Sequence, residues 1–255
     1  MTLPFALVPR SQPSRALTWL SPLAAAVLTL LAGALLFALM GKDPVQGLRV
    51  FLIEPLATRR GWSELALKAT PLILCAVGLT LCFRANVWNI GAEGQLIAGA
   101  IAGGSVALLA TSATTRAIVP VILLAAALGG AAWAAITAWL RDRYNANEIL
   151  VSLMLVYVAQ LLLAWLVQGA LRDPQGFGFP QSKLFESVAR MPIVLEGTRL
   201  NVGFPLALGV AVVAWWLLAR SLIGFQLKVA GLAPLAAISV AIASIRRQPR
   251  AGADG

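Results

Sequence analysis

The sequence has no histidine and only two cysteines among its 255 residues. Without histidine, the chain lacks the commonest general base and metal ligand. Cys75 and Cys82 are seven positions apart on one face of an apolar helix, where small packing residues are the expected role. The chain also has no Walker-type glycine-rich phosphate loop and no paired carboxylates within an apolar run. We therefore expect no catalytic residues, no metal site and no cofactor, and an intramembrane enzyme is disfavoured.

Charged residues are scarce as well, at 12% of the chain, whereas hydrophobic residues make up 60% and the mean hydropathy is +0.85. Soluble domains have about 45–50% apolar residues, so the composition predicts a polytopic membrane protein. A membrane-spanning helix needs about 20 largely apolar residues. The runs near this length predict an all-α bundle of about six transmembrane helices, at residues 16–40, 66–83, 96–110, 117–140, 149–171 and 202–219.

The net charge of +10 is concentrated between these apolar runs. In a multispanning protein, such an excess of lysine and arginine reflects loop orientation and contact with the lipid bilayer, and it does not indicate nucleic-acid binding. Arg10 and Arg15 favour a cytoplasmic amino terminus. The first run is uncharged from residue 17 to 40, too long for the core of a cleavable signal peptide, so we expect it to be retained. Residues 41–65 have the composition of an amphipathic surface helix.

One polar stretch, residues 83–95, interrupts the apolar pattern and leads into the third run. That run is too short to cross a bilayer unless part of the polar stretch is included, so Glu93 is expected at or below the level of the lipid headgroups. A carboxylate at that depth indicates a functional site by default. The alternative is that Asn89, Glu93 and Gln95 only cap and solvate the start of a helix. Trp88 is interpreted as an interfacial anchor.

Small and polar residues within the runs predict how the helices pack. Gly99 and Gly103 form a small-xxx-small pair in the third run, which favours close helix packing. Gln160 and Gln168 are polar groups in the fifth run. Such side chains could border a pathway, but hydrogen bonding between helices explains them about as well.

Several short motifs together resemble a known family. The stretches at residues 70–74, 83–85, 89–95, 147–149 with 153–155, and 180–182 occur in the order seen in permease subunits of simple-sugar and nucleoside ABC importers, within the branched-chain permease superfamily. The resemblance covers roughly residues 71–237, and the most specific motif is Asn-Ile-Gly-Ala-Glu-Gly-Gln at residues 89–95.

The resemblance implies a transport subunit without chemistry of its own, whose energy comes from ATP hydrolysis by partner chains. Its expected partners are ATP-binding subunits, a second permease subunit that is related or identical, and an extracytoplasmic solute-binding protein, and its expected location is the bacterial inner membrane. The candidate residues of the substrate pathway are Asn89, Glu93, Gln95 and Gln160. The segment 231–237 resembles the family's ATPase-coupling element, in which the candidate contacts are Gly231, Pro234, Ala236 and Ala237.

The sequence departs from the family pattern in and after this coupling element. Ala233 stands where the family usually has asparagine, and the residues after Ala237 do not continue the family pattern. We therefore expect a partial permease domain at residues 1–237 and a disordered tail at residues 238–255, and hypothesise that the reading frame is truncated or frame-shifted. Two other interpretations stay open: a secondary transporter or channel, against which the lack of a second interrupted helix counts, and a permease remnant that no longer transports.

Overall fold

A computed structural model describes residues 15–111, 113–176 and 178–232, with the backbone alone described at residues 15–17. Nine α-helices and no β-strand occur in these ranges, apart from isolated bridges at Arg172–Ser182 and Ile193–Asn201. The chain divides into two compact units, residues 1–65 and residues 66–255. The expected tail and most of the expected coupling element lie outside the described residues.

The first unit contains a long apolar helix followed by short ones. Helix α1 is Arg15–Leu39, α2 is Pro44–Leu52 and α3 is Glu54–Ala57. Asp43 caps α2, because its carboxylate accepts a hydrogen bond from the backbone N–H of Val45 at 2.9 Å. One amphipathic helix was expected over residues 41–65, but α2, α3 and the beginning of α4 lie there instead. Prolines at the start of α2 and α3 fit this division, since proline is tolerated in the first turn of a helix.

The remaining helices are longer on average and belong mainly to the second unit. They are α4 at Arg59–Arg84, α5 at Ala92–Leu108, α6 at Ile118–Tyr144, α7 at Glu148–Gln168, α8 at Gly203–Arg220 and α9 at Leu222–Leu232. Among the described residues, α1, α4, α6, α7 and α8 are long and apolar enough to cross a membrane, and α5 falls just short at 17 residues. The prediction of an all-α polytopic bundle is confirmed, with five candidate spans and the shorter apolar helix α5 where about six spans were expected.

Two boundary predictions were wrong. Helix α4 begins at Arg59, seven residues before the predicted start at 66, so Pro71 lies in the middle of the helix and not in its first turns. Residues 220–237 were expected to form a loop, but Leu222–Leu232 is helical. A tight turn joins the end of α8 to this helix. A Cβ added to Gly224 would lie only 2.7 Å from the Leu217 carbonyl oxygen. The turn therefore requires a residue without a side chain at that position.

Among the described helices, α5 and α6 share the most extensive contact, and glycine and alanine form much of it. A Cβ added to Gly99 of α5 would lie 2.8 Å from the carbonyl oxygen of Ala126 in α6. A Cβ added to Gly103, one turn further on, would lie 2.9 Å from the Ala126 Cβ. The predicted close packing at the Gly99 and Gly103 pair is confirmed, since small residues let helix backbones approach each other.

Candidate functional site

The polar stretch forms a non-helical connection, residues 85–91, between α4 and α5. Its first turn is fixed by backbone hydrogen bonds: the N–H groups of Ala85 and Val87 both donate to the Cys82 carbonyl, at 3.0 and 2.9 Å. Asn86 adopts the left-handed conformation with φ of 55°, which asparagine tolerates better than most residues. The connection therefore turns sharply at the end of α4.

The connection carries the start of α5 into the bundle. Gly91 lies against Ser152, and Gly94 lies against Val156, the ninth residue of α7. At 1.5 Å per helical residue, Val156 is about 12 Å from the beginning of α7. On the other side, a Cβ on Gly130 of α6 would lie 3.1 Å from the Gln95 carbonyl oxygen, and Gly130 is about 21 Å from the end of α6. Helix α5 thus begins inside the layer that α6 and α7 cross.

The side chains of Asn89 and Gln95 form a reciprocal amide pair at this point. The Asn89 Nδ2 donates to Gln95 Oε1 at 3.2 Å, and the Gln95 Nε2 donates to Asn89 Oδ1 at 3.1 Å. Asn89 Oδ1 also accepts the Gly91 N–H at 2.9 Å. The pair satisfies polar groups within the bundle, where an amide without partners would cost about 1–3 kcal/mol.

Ser152 of α7 supports the same connection. Its hydroxyl is buried, accepts the Ile90 N–H at 3.3 Å and donates to the Ile149 carbonyl at 3.2 Å. The motif at residues 89–95 gives no indication of this partner, because Ser152 is 62 residues from Ile90 in the sequence. The hydroxyl thereby connects irregular backbone to a regular helix.

Two cavities border the amide pair. The polar cavity has a volume of about 500 Å³, and the apolar cavity has a volume of about 690 Å³. Four residues line both: Cys82, Asn89, Gln95 and Ala134. The other residues that line the polar cavity are the polar or charged Thr137, Arg141, Asp142, Asn145 and Glu148, together with the apolar Val87 and Ala138. The walls of the apolar cavity are mainly aliphatic, including Leu74, Leu79, Leu96, Leu123 and Leu206. The amide pair therefore lies where a polar and an apolar space meet.

The polar cavity includes residues that the sequence analysis did not select. Arg141 and Glu148 form an ion pair of 3.2 Å across the short turn between α6 and α7. Asn145 ends α6 in the left-handed conformation with φ of 51°. The charged turn at residues 141–148 was visible in the sequence, but only the fold places it beside Asn89 and Gln95.

Glu93 and Gln160, the other two candidates, form a separate pair. The Gln160 Nε2 donates to Glu93 Oε1 at 2.9 Å, and both side chains are exposed in the isolated chain. Neither residue lines the polar cavity or the apolar cavity. The four residues expected along the substrate pathway thus fall into two hydrogen-bonded pairs, one beside the two cavities and one on an outer face of α5 and α7.

The expected coupling residues are described only in part. Gly231 is half-buried near the end of α9 and faces the backbone of residues 84–86. Pro234, Ala236 and Ala237 lie outside the described residues. Trp88 is exposed and contacts Phe83, with 5.6 Å between the ring centroids. No group of three or more metal-ligating side chains is found in the described part of the chain.

The fold and this site together define a multi-pass membrane protein with a polar site built inside its helices. The chain matches the family described as the branched-chain amino acid transport system permease component over residues 61–244. This chain belongs to that family.

Curated relatives extend the comparison. The chain is 33% identical to the glucose ABC transporter permease protein TsgB13 of Haloferax volcanii, covering 91% of this chain and 63% of the relative. It is 30% identical to the guanosine ABC transporter permease protein NupP of Bacillus subtilis, covering 83% of this chain and 61% of the relative. A third relative is the nucleoside ABC transporter permease protein NupB of Lactococcus lactis, 25% identical, with 84% of this chain and 61% of the relative covered. The chain thus spans a little over three fifths of these relatives. No solved structure gives a significant match.

Proposed function

We propose that this chain is the permease subunit of an ATP-binding cassette importer and forms part of the pathway for a nucleoside or a simple sugar. The observation that carries the proposal is the Asn89–Gln95 pair, which borders both cavities at the point where α5 begins inside the bundle. Relatives named for glucose, guanosine and nucleoside transport support this range of solutes.

The amide pair suits transient recognition of such a solute. Each primary amide has two N–H donors and an acceptor oxygen with two lone pairs, so both residues keep hydrogen-bonding capacity beyond the reciprocal bonds. Sugar hydroxyls and nucleobase edges offer matching donors and acceptors. A solute that breaks the reciprocal bonds replaces them with its own, which keeps the net change in hydrogen bonding small. The pair can therefore bind the solute and release it again.

Glu93 and Gln160 belong to a different part of the proposed assembly. A carboxylate exposed to lipid inside a bilayer is costly unless it faces other helices or water. We infer that the second permease subunit, related or identical, or a wet pathway between the two subunits covers this pair. A purely structural hydrogen bond between α5 and α7 is the alternative role for it.

The other partners and the location follow from the same proposal. ATP-binding subunits supply the energy and contact the segment that begins at Gly231 and includes Pro234, Ala236 and Ala237. A solute-binding protein delivers the solute at the opposite side of the bacterial inner membrane, and the amino terminus is cytoplasmic. Residues 1–237 then form the transmembrane permease domain.

The test is solute uptake into vesicles that contain the chain together with its ATP-binding and solute-binding partners. Asn89→Ala and Gln95→Ala each remove one amide of the pair and therefore one hydrogen bond to the solute. Because such a bond contributes about 0.5–1.5 kcal/mol, we expect each variant to have a KM about two to ten times higher than the parent. Gln168→Ala is the matched control, because this amide lies at the end of α7 and lines neither cavity. Equal KM values in all three variants would contradict the pathway assignment.

Two other functions make different predictions in the same vesicles. Helix α5 begins inside the bundle, as the broken helices of many secondary transporters do. A secondary transporter would transport without ATP. A remnant would neither transport nor retain an ATP-binding subunit.

A further inference from the structure

The end of α9 rests directly on the segment that leads to the amide pair. A Cβ added to Gly231 would overlap the Arg84 carbonyl oxygen and would lie 3.2 Å from both the Ala85 carbonyl carbon and the Asn86 nitrogen. All three are backbone atoms, which cannot rotate away as the end of a side chain can. The two backbones therefore meet with no room for a methyl group between them.

Residues 84–86, which contact Gly231, are connected to Asn89 by hydrogen bonds between backbone groups that are close in the sequence. Ala85 and Val87 are both bonded to the Cys82 carbonyl, and the Asn89 N–H donates to the Val87 carbonyl at 3.2 Å. Asn86, between them, is held in the left-handed conformation. A displacement of this segment therefore reaches Asn89 within a few residues of bonded backbone, without a flexible side chain in the path.

We propose that Gly231 is a positioning residue, whose backbone contact with residues 84–86 sets the position of Asn89 and thereby the closure of the Asn89–Gln95 pair. The role in transport rests on the proposed function, in which α9 leads into the segment that contacts the ATP-binding subunit. A movement of α9 then displaces the amide pair directly. The contact itself is a property of this chain alone and can be tested without partners.

The sequence supplies its own reporter for this test. The chain has two cysteines; Cys82 lines both the polar and the apolar cavity, whereas Cys75 lines only the apolar one. Replacing Cys75 by serine leaves Cys82 as the single thiol. Its rate of reaction with a small polar maleimide then measures access to the polar cavity beside the amide pair.

The experiment compares the Gly231→Ala and Gly209→Ala variants of the purified full chain in the Cys75→Ser background. Gly209 has no atom within 4 Å of an added Cβ, so it controls for adding a methyl group to a helix. We expect Gly231→Ala to change the Cys82 labelling rate by about fivefold, the factor that corresponds to about 1 kcal/mol. Gly209→Ala should label like the parent. A parental rate in a folded Gly231→Ala chain would overturn the proposal.

A second variant covers the case in which Gly231→Ala does not fold. Asn86→Ala adds no atom and makes the left-handed conformation of residue 86 less favourable, because asparagine tolerates it better than most residues. We therefore expect Cys82 to react faster, and an unchanged rate in the folded variant would count against the proposal. Labelling is independent of ATP. A changed labelling rate without ATP-dependent uptake would therefore reject the importer function and support the role of the Gly231 contact. Normal ATP-dependent uptake with an unchanged labelling rate would support the importer function and reject the role of the contact.

Discussion

Replacing Gly99 by alanine tests the close packing of α5 on α6, on which the position of the amide pair depends. The new Cβ would lie 2.8 Å from the Ala126 carbonyl oxygen, whereas ordinary contact begins near 3.4 Å. The two helices must therefore separate locally by about 0.6 Å, the difference between these distances. Such overpacking costs about 1–3 kcal/mol. Alanine recovers about 0.5–1 kcal/mol of this because glycine is the weaker helix former. The middles of the two ranges leave a net loss of about 1 kcal/mol.

The assay is thermal unfolding of the purified chain in detergent. A loss of about 1 kcal/mol in a chain of roughly this length lowers Tm by about 2–4 °C. Gly78→Ala is the control, since nothing lies within 4 Å of a Cβ at this position in α4, and its Tm should be unchanged or slightly higher. If Gly99→Ala were as stable as Gly78→Ala, the contact between α5 and α6 would be looser than a distance of 2.8 Å implies.

Two further predictions concern the polar contacts around the site. Ser152→Ala leaves the Ile90 N–H without its acceptor and should destabilise the chain by about 1 kcal/mol in the same assay. The control Ser105→Ala removes only a bond to a carbonyl of its own helix and should have a smaller effect. Equal effects of the two substitutions would contradict the role of Ser152. The Arg141–Glu148 ion pair is partly exposed, so Glu148→Gln should cost no more than about 1 kcal/mol and less in high salt; a larger, salt-independent loss would refute this estimate.

Hydropathy alone predicted most of the fold. The apolar runs at 117–140, 149–171 and 202–219 correspond closely to α6, α7 and α8, because length and apolarity are what a membrane span requires. Helix α9 escaped prediction since its glycines and polar residues suggested a loop. The tight turn onto α8 explains Gly224, and the contact with residues 84–86, which are distant in the sequence, explains Gly231.

The site was also predictable only in part, because several of its contacts join residues that are far apart in the sequence. The composition of residues 83–95 indicated polar groups inside an apolar bundle, and the structure places Asn89 and Gln95 there. Their reciprocal bonding could not be deduced from the sequence, and neither could the bond between Glu93 and Gln160, which are 67 residues apart. Which amide faces a cavity depends on how the connection at residues 85–91 turns, and Ser152 and Asn86 help to fix that turn.

The most direct test of the central claim is the energy source of uptake in vesicles that contain the chain with its partner subunits. We predict that uptake of a nucleoside or a simple sugar requires ATP, stops when a non-hydrolysable analogue replaces ATP, and persists after ionophores collapse the ion gradients. Uptake that continues without ATP and disappears with the ionophores would contradict the account and identify a secondary transporter.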